Sequence, residues 1–203
     1  MLTVWCVYWG DKYPEYYVHR LKSEVEKHLT IPHQFKCLTD QMIAGIETVP
    51  QVSSKQGWWQ KNDLFWFDGP SLYFDLDTVI TGNLDVFVGT RATVRTLRNW
   101  AASGHGGCQS SIMYWEHARV IYDAFDPQDA HWPPINKPGY LWGDQEHITA
   151  MRDGGELDVD YFNPAHAKSY KYHCRNELPA HCRAVIFHGK PDPHEVSEPW
   201  FQW

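Results

Sequence analysis

Asp75 and Asp77 stand one residue apart in LYFDLDTVITGNLDVF, residues 72–87, where an apolar run ends. In an extended backbone residues i and i+2 share a face, so two carboxylates at that spacing repel unless a cation or strong donors compensate. A divalent ion answers the repulsion. Hard oxygen ligands suit magnesium or manganese, and an ion held by few carboxylates keeps positions for the phosphates of a substrate. The plain alternative is that one aspartate caps the next turn and the other is solvated, since aspartate is common in turns. A second constellation lies in VIFHGKPDPHE, residues 185–195, again an apolar strand running into a polar, glycine- and proline-rich loop. His188 at that junction could complete the coordination of a borderline ion such as manganese, and Lys190 could neutralise a departing phosphate. Outside such a site, His188 would be a hydrogen-bonded histidine at a strand end and Lys190 a solvated turn residue.

These residues need a scaffold, and the pattern along the chain implies one. The run LTVWCVYW, residues 2–9, reads as a buried strand followed by the turn GDKYP. Val18, Leu21, Val25 and Leu29 fall on one helical face in PEYYVHRLKSEVEKHL, with Pro14 and Glu15 suited to its first turn and Lys27 and His28 to its last. HQFKCL, IETVP, SLYFD, SSIMYW and RAVIFHG read as further strands, and WWQKNDLFWF, EHARVIYDAF and DQEHITAM as helices. Alternation of this kind predicts an α/β fold with a mainly parallel central sheet, where ligands bind at the carboxyl ends of the strands. Asp75, Asp77 and His188 are expected there.

With 203 residues, 43% of them apolar, the chain can bury a sizeable core as a single domain over 1–203. The formal charge of −7 supplies no basic stripe for nucleic acid. Five separated cysteines without a CxxC pair fit reduced thiols in a cytoplasmic protein, and no segment approaches membrane-spanning length. The N-terminal MLTVWCVYWG is too short and too poor in basic residues for a secretory signal. His173, Cys174, His181 and Cys182 in YHCRNELPAHCR could hold zinc, but adjacent His-Cys pairs do not match common finger spacing.

Together these segments resemble nucleotide-sugar glycosyltransferases of the GT-A fold, a Rossmann-like three-layer α/β/α sandwich, and in particular glycosyltransferase family 8 and its small phage and bacterial relatives. LYFDLDTVITGNLDVF resembles the DxD segment and FHGKPDPHE the terminal His-x-Gly-Lys-Pro segment. VYWGDKYPEYYVHRL resembles the first strand and turn, GWWQKNDLFWF the Trp-x-Lys helix, and GDQEHI the Asp-Gln pair beside the donor sugar. The resemblance implies that Asp75, Asp77 and His188 bind Mn2+ or Mg2+ and that Asp75 also lies near the ribose. It implies Lys190 and Gly189 at the diphosphate, Tyr13 near the base, Lys61 at the donor or a nearby carboxylate, and Asp144 and Gln145 at the transferred sugar. As an ordinary residue, Asp144 would be the N-cap of the helix that follows it. Gln109 in CQSSIMYW takes the place of an asparagine in relatives, which leaves the donor sugar open, and nothing after EPWFQW corresponds to the tail of larger members.

The implied activity is metal-dependent transfer of a sugar, with retention of configuration, from a nucleoside diphosphate donor, UDP by analogy. A saccharide is the default acceptor, with a protein or a modified nucleic-acid base as alternatives, and the setting is the cytoplasm, a host's if the chain is phage-encoded. Two rival readings compete. DLDTVI also fits the DxDx(T/V) signature of haloacid-dehalogenase-like phosphatases, in which Asp75 would attack phosphorus and Asp77 act as general acid. That motif is usually on a first strand, and GDQEHITAMRDG is a poor match to the later acidic pair. The aromatic richness, with eleven tryptophans and eleven tyrosines, suits a non-catalytic carbohydrate-binding protein, although such lectins are typically all-β and the helical segments argue against one.

Overall fold

The central element is β1, Leu2–Val7, whose six residues are all buried. An apolar run buried on both faces belongs in the middle of a parallel sheet, and β1 lies between two parallel neighbours. They are β2, His33–Leu38, and β4, Ser71–Phe74. Together with β3, Glu47–Val49, β6, Val94–Arg98, β7, Cys108–Trp115, and β8, Val159–Tyr161, these strands form a seven-stranded sheet in the order β3-β2-β1-β4-β7-β6-β8. β7 is antiparallel to β4 and β6, while the other neighbours pair in parallel, so the sheet is mixed but mostly parallel. The structure, a computed structural model, describes residues 1–100, 107–126, 141–201 and 203.

Alternation along β1 sends Val4 and Cys6 to one side of the sheet and Trp5 and Val7 to the other. On the first side they pack with Val18, Leu21 and Val25 of helix α1, Tyr16–His28, and with Leu29 just past its end, the stripe expected from its 3.6-residue spacing, joined by Tyr17. On the second side they meet Leu64 and Phe65 of a 3-10 helix, Gly57–Trp66, and Ile121, Ile148 and Met151 of two α-helices. These are α2, Arg119–Asp123, and α3, Asp144–Asp153. The result is a helix layer on each face of the sheet. Among the described residues no helix is long and apolar enough to cross a membrane.

Some expected elements differ. GWWQKNDLFW is a 3-10 rather than an α-helix, and EHARVIYDAF contributes only the short α2. The RAVIFHG strand, β10, Ala184–Ile186, lies outside the main sheet. It pairs with β5, Thr78–Ile80, and β9, Ala167–Ser169, in a separate three-stranded sheet. Asp75 and Asp77 flank a turn closed by the Thr78 N–H donating to the Asp75 carbonyl at 3.0 Å, not an extended strand. That turn carries the chain from the large sheet to the small one, so the two acids stand where the sheets meet. The mixed α/β architecture overturns the all-β lectin alternative. All five cysteines are free and buried, and the pair Cys174 and Cys182 packs in the core of the small sheet while His173 and His181 are exposed.

Candidate active site

A cavity of about 220 Å³ opens at the carboxyl ends of β1 and β4. Asp75, Asp77, Lys61, Tyr13, Asp144, Gln145, His188 and Gly189 all line it, although they come from five separate segments of the chain. Asp75 follows β4 and is pinned at its backbone, where its N–H donates to Ser111 of β7 at 2.9 Å. Its Oδ1 accepts from Tyr73 Oη at 2.5 Å and pairs with Lys61 Nζ at 2.9 Å. Lys61 also reaches Asp144 Oδ2 at 3.4 Å and donates to Ser110 Oγ at 3.3 Å. Asp77 is buried and accepts from Tyr13 Oη at 2.7 Å. The polar groups therefore run in sequence from Tyr13 to Asp77, across the turn to Asp75, then through Lys61 to Asp144 at the start of α3.

The charges do not balance by themselves. Burial alone would lower the Lys61 ammonium, but Asp144 and Asp75 outweigh it and hold the group above its ordinary value. Burial works against the charged form of Asp75 as well, yet Lys61 and hydrogen bonds from Ser111 and Tyr73 bring its carboxyl below the usual range. Burial pushes the Asp144 carboxyl up, with Lys61 opposing. Asp77 has no such partner: burial, then the charge of Asp75, raise it to about 7, against weaker opposition from Lys12 and Tyr13. One lysine thus serves two acids and leaves the third short of positive charge. A hard divalent cation fits that deficit.

His188 lines the same cavity from the other sheet. Its Nε2 bonds Ser169 Oγ at 2.7 Å and its ring stacks on Trp100 at 6.2 Å, which orients the imidazole and leaves Nδ1 without a hydrogen bond to any described residue. Burial, then the charge of Lys171, lower the imidazole and favour the neutral form that binds metals. Among the described residues, the one group of three His, Cys, Asp or Glu side chains whose ligand atoms lie within 4.8 Å of one another is elsewhere, at Asp192, His194 and Glu195. Asp75, Asp77 and His188 share a cavity without meeting that spacing, and neither do His173, Cys174, His181 and Cys182. Lys190 does not line the cavity; its Nζ binds Asp192 Oδ2 at 2.7 Å and Glu195 Oε1 at 2.8 Å.

No protein-family model matches the chain, and no curated protein matches it by sequence. In three dimensions it is similar to the crystal structure of the galactosyltransferase LgtC in complex with donor and acceptor sugar analogues. The TM-score is 0.62 at 12% identity, over 95% of this chain and 89% of that one. It is also similar to the glycosyltransferase GlyE of Streptococcus pneumoniae TIGR4, with a TM-score of 0.64 at 10% identity, over 97% of this chain and 57% of that one. The chain has the GT-A glycosyltransferase fold. At such identities the likeness is one of backbone architecture. In this GT-A fold the β4 end, the 3-10 helix and the α3 start face one cavity, which is why Lys61 can touch two acids so far from it in sequence.

Several cavity residues of the GT-A fold escaped the sequence reading. Ser110 and Ser111 face Lys61 and Asp75 because β7 pairs with β4, with Phe74 opposite Ile112, and no local pattern reveals that pairing. Lys12, whose ammonium stands 4.5 Å from the Tyr13 ring centroid, could have been found as a cation next to an assigned residue. Gln109 folds back on its own strand, donating to Ser111 Oγ at 2.5 Å and accepting from the Ser111 N–H at 3.1 Å. Trp58 and Trp142 form a tilted pair, ring centroids 6.3 Å apart, on the wall next to Asp144. Tyr17 joins the two halves of the site: its ring stacks on Tyr13 at 4.7 Å and its hydroxyl meets His194 Nδ1 at 2.5 Å in the loop after His188. Tyr17→Phe should lower the unfolding free energy by about 1 kcal/mol, the contribution of one partly buried hydrogen bond. A urea midpoint equal to that of the unsubstituted chain would show that the bond adds nothing.

Proposed function

We propose that the chain acts as one catalytic domain, a metal-dependent retaining glycosyltransferase that takes its sugar from a nucleoside diphosphate donor, UDP by the resemblance, and passes it to a hydroxyl-bearing acceptor. The observation that carries this reading is the gathering of Asp75, Asp77, Lys61, Asp144 and His188 around one cavity at the strand ends of a GT-A fold. Open α/β sheets bind their ligands at that edge. LgtC, which shares the fold, was crystallised with donor and acceptor sugar analogues, and an active-site mutant of it has the same likeness to this chain.

In this reading Asp75, Asp77 and the free nitrogen of His188 would hold Mn2+ or Mg2+. The ion supplies Lewis-acid stabilisation of the diphosphate leaving group. The protein's own residues do the rest. Lys61 keeps Asp75 ionised and fixes its carboxylate, so the ligand is oriented before donor arrives. Tyr13, immobilised between Asp77 and Tyr17, presents its ring to the base, and Asp75 lies near the ribose. Asp144, buried at the first turn of α3, places a carboxylate beside the sugar to stabilise positive charge as the glycosidic bond breaks, and Gln145 offers its amide to sugar hydroxyls. The departing phosphate oxygen accepts the acceptor's proton on the face from which it leaves.

The reading is tested by thermal melting with a panel of nucleotide sugars, each with and without Mn2+. Binding to the native state alone raises the melting temperature, by about 2.7 kcal/mol of added stability at a hundred times Kd. Stabilisation by a UDP-sugar only when metal is present is the expected result. No shift with any nucleoside diphosphate sugar, alongside release of inorganic phosphate from small phosphomonoesters, would return the case to the phosphatase reading.

A further inference from the structure

The cation that the family resemblance assigns to the phosphates, Lys190, is occupied elsewhere. Its ammonium is gripped by Asp192 and Glu195, and Glu195 Oε2 in turn accepts from the Asp192 N–H at 2.6 Å, so the acids that hold it are themselves braced in a capping arrangement. Reaching the cavity would break both of these contacts, which at a side chain 71% exposed are surface ion pairs screened by water.

Another lysine, like Lys190 not itself part of the cavity lining, approaches a residue that is. Lys171 lies on a π-helical turn, Tyr170–Cys174, directly after β9, and its Nζ would be 3.3 Å from a Cβ placed on Gly189. Gly189 lines the cavity beside His188 with φ at +64°, so the backbone there is bare and the lysine approaches it without a side chain between them. Lys171 is partly buried, makes no ion pair or hydrogen bond with any described residue, and its charge is already felt by His188. A partly buried lysine without a counterion among the described residues, beside a cavity whose acids would hold a divalent ion, is placed to receive an anion that bridges it to that ion. A diphosphate has the charge and oxygens to do so.

We infer that Lys171 is the phosphate-facing cation of this site and that Lys190 instead staples the loop 189–195. The inference rests on the glycosyltransferase reading and names a further binding residue for its leaving group. Lys171 is a positioning and charge-neutralising group for the diphosphate; it moves no proton.

Calorimetric titration with UDP in the presence of Mn2+, with GDP, ADP and CDP in parallel, tests it on the unsubstituted chain and on Lys171→Ala, Lys171→Gln, Lys171→Arg and Lys190→Ala. Lys171→Ala and Lys171→Gln should each weaken UDP binding by about tenfold or more, the loss of one charge-assisted contact. Lys171→Arg should recover most of the affinity, which a purely structural role would not predict, and melting without ligand checks that each variant is folded. UDP binding by both neutral variants at the unsubstituted affinity, with the loss carried by Lys190→Ala, overturns the assignment while leaving the glycosyltransferase reading in place. Failure of the unsubstituted chain to bind any of the four diphosphates removes that reading, and the Lys171 assignment with it.

Discussion

Asp77→Asn should reduce turnover of the nucleotide sugar that gives the largest thermal shift by about 10²–10³-fold, in the range seen when one preorganised electrostatic contributor is removed. The substitution keeps the size of the side chain and an oxygen to accept the Tyr13 hydroxyl, now held at 2.7 Å by Asp77 Oδ2, so the packing around it has no reason to change. What disappears is the negative charge. Asp77 is the acid that burial and Asp75 leave least compensated, and its carboxylate therefore has most to gain from a divalent ion. Removing the repulsion between two buried acids should leave the metal-free variant at least as stable as the unsubstituted chain. Two measurements check this: release of radiolabelled sugar from the donor with Mn2+ present, and the melting temperature without metal. Full turnover in the variant would sink the metal assignment, and a large loss of stability would mean that Asp77 is structural.

Lys61→Ala should be the most destabilising single change in the site, at about 3–5 kcal/mol, because it leaves buried carboxylates without their cation. Lys61 is itself 9% exposed and is the ion-pair partner of both Asp75 and Asp144, whose side chains are 22% and 6% exposed. The pH dependence follows from the same charges. With the lysine gone, the folded-state carboxyls of Asp75 and Asp144 move up, above the unfolded value of about 3.9. The penalty is then fully present above the new folded pKa and is relieved as pH falls through it, because the folded state takes up the protons. The stability gap between variant and unsubstituted chain should therefore be wider at pH 8 than at pH 5. Urea midpoints at the two pH values measure it, and a gap of the same size at both would show that the lysine matters through packing rather than charge.

How far the site was legible varies residue by residue. Val18, Leu21 and Val25 announce α1 because helical periodicity is a local property, and the continuous run from Leu2 to Val7 announces a central strand for the same reason. Asp75 and Asp77 were identifiable as a pair, although the backbone between them turns where an extended strand was expected. Lys61 was picked out by motif, but that it serves two acids at once could not be, because Asp144 reaches it only after α3 docks on the 3-10 helix. For Lys190 and Lys171 the surroundings could not be read locally. Lys190 sits in a conspicuous motif and is tied to its own loop, whereas Lys171 sits in an unremarkable segment that tertiary packing brings to Gly189.

The amino-acid order by itself determined the alternation of strands and helices, the buried parallel core and the presence of paired acids at a strand's end, since each depends on spacing within a few residues. Only the tertiary structure decided that β10 belongs to a second sheet, that Ser169 turns His188, and which lysines face the cavity. Those outcomes depend on strand pairing and packing between segments distant in the chain, where many partners are compatible with the same local pattern and the balance of burial and charge selects one.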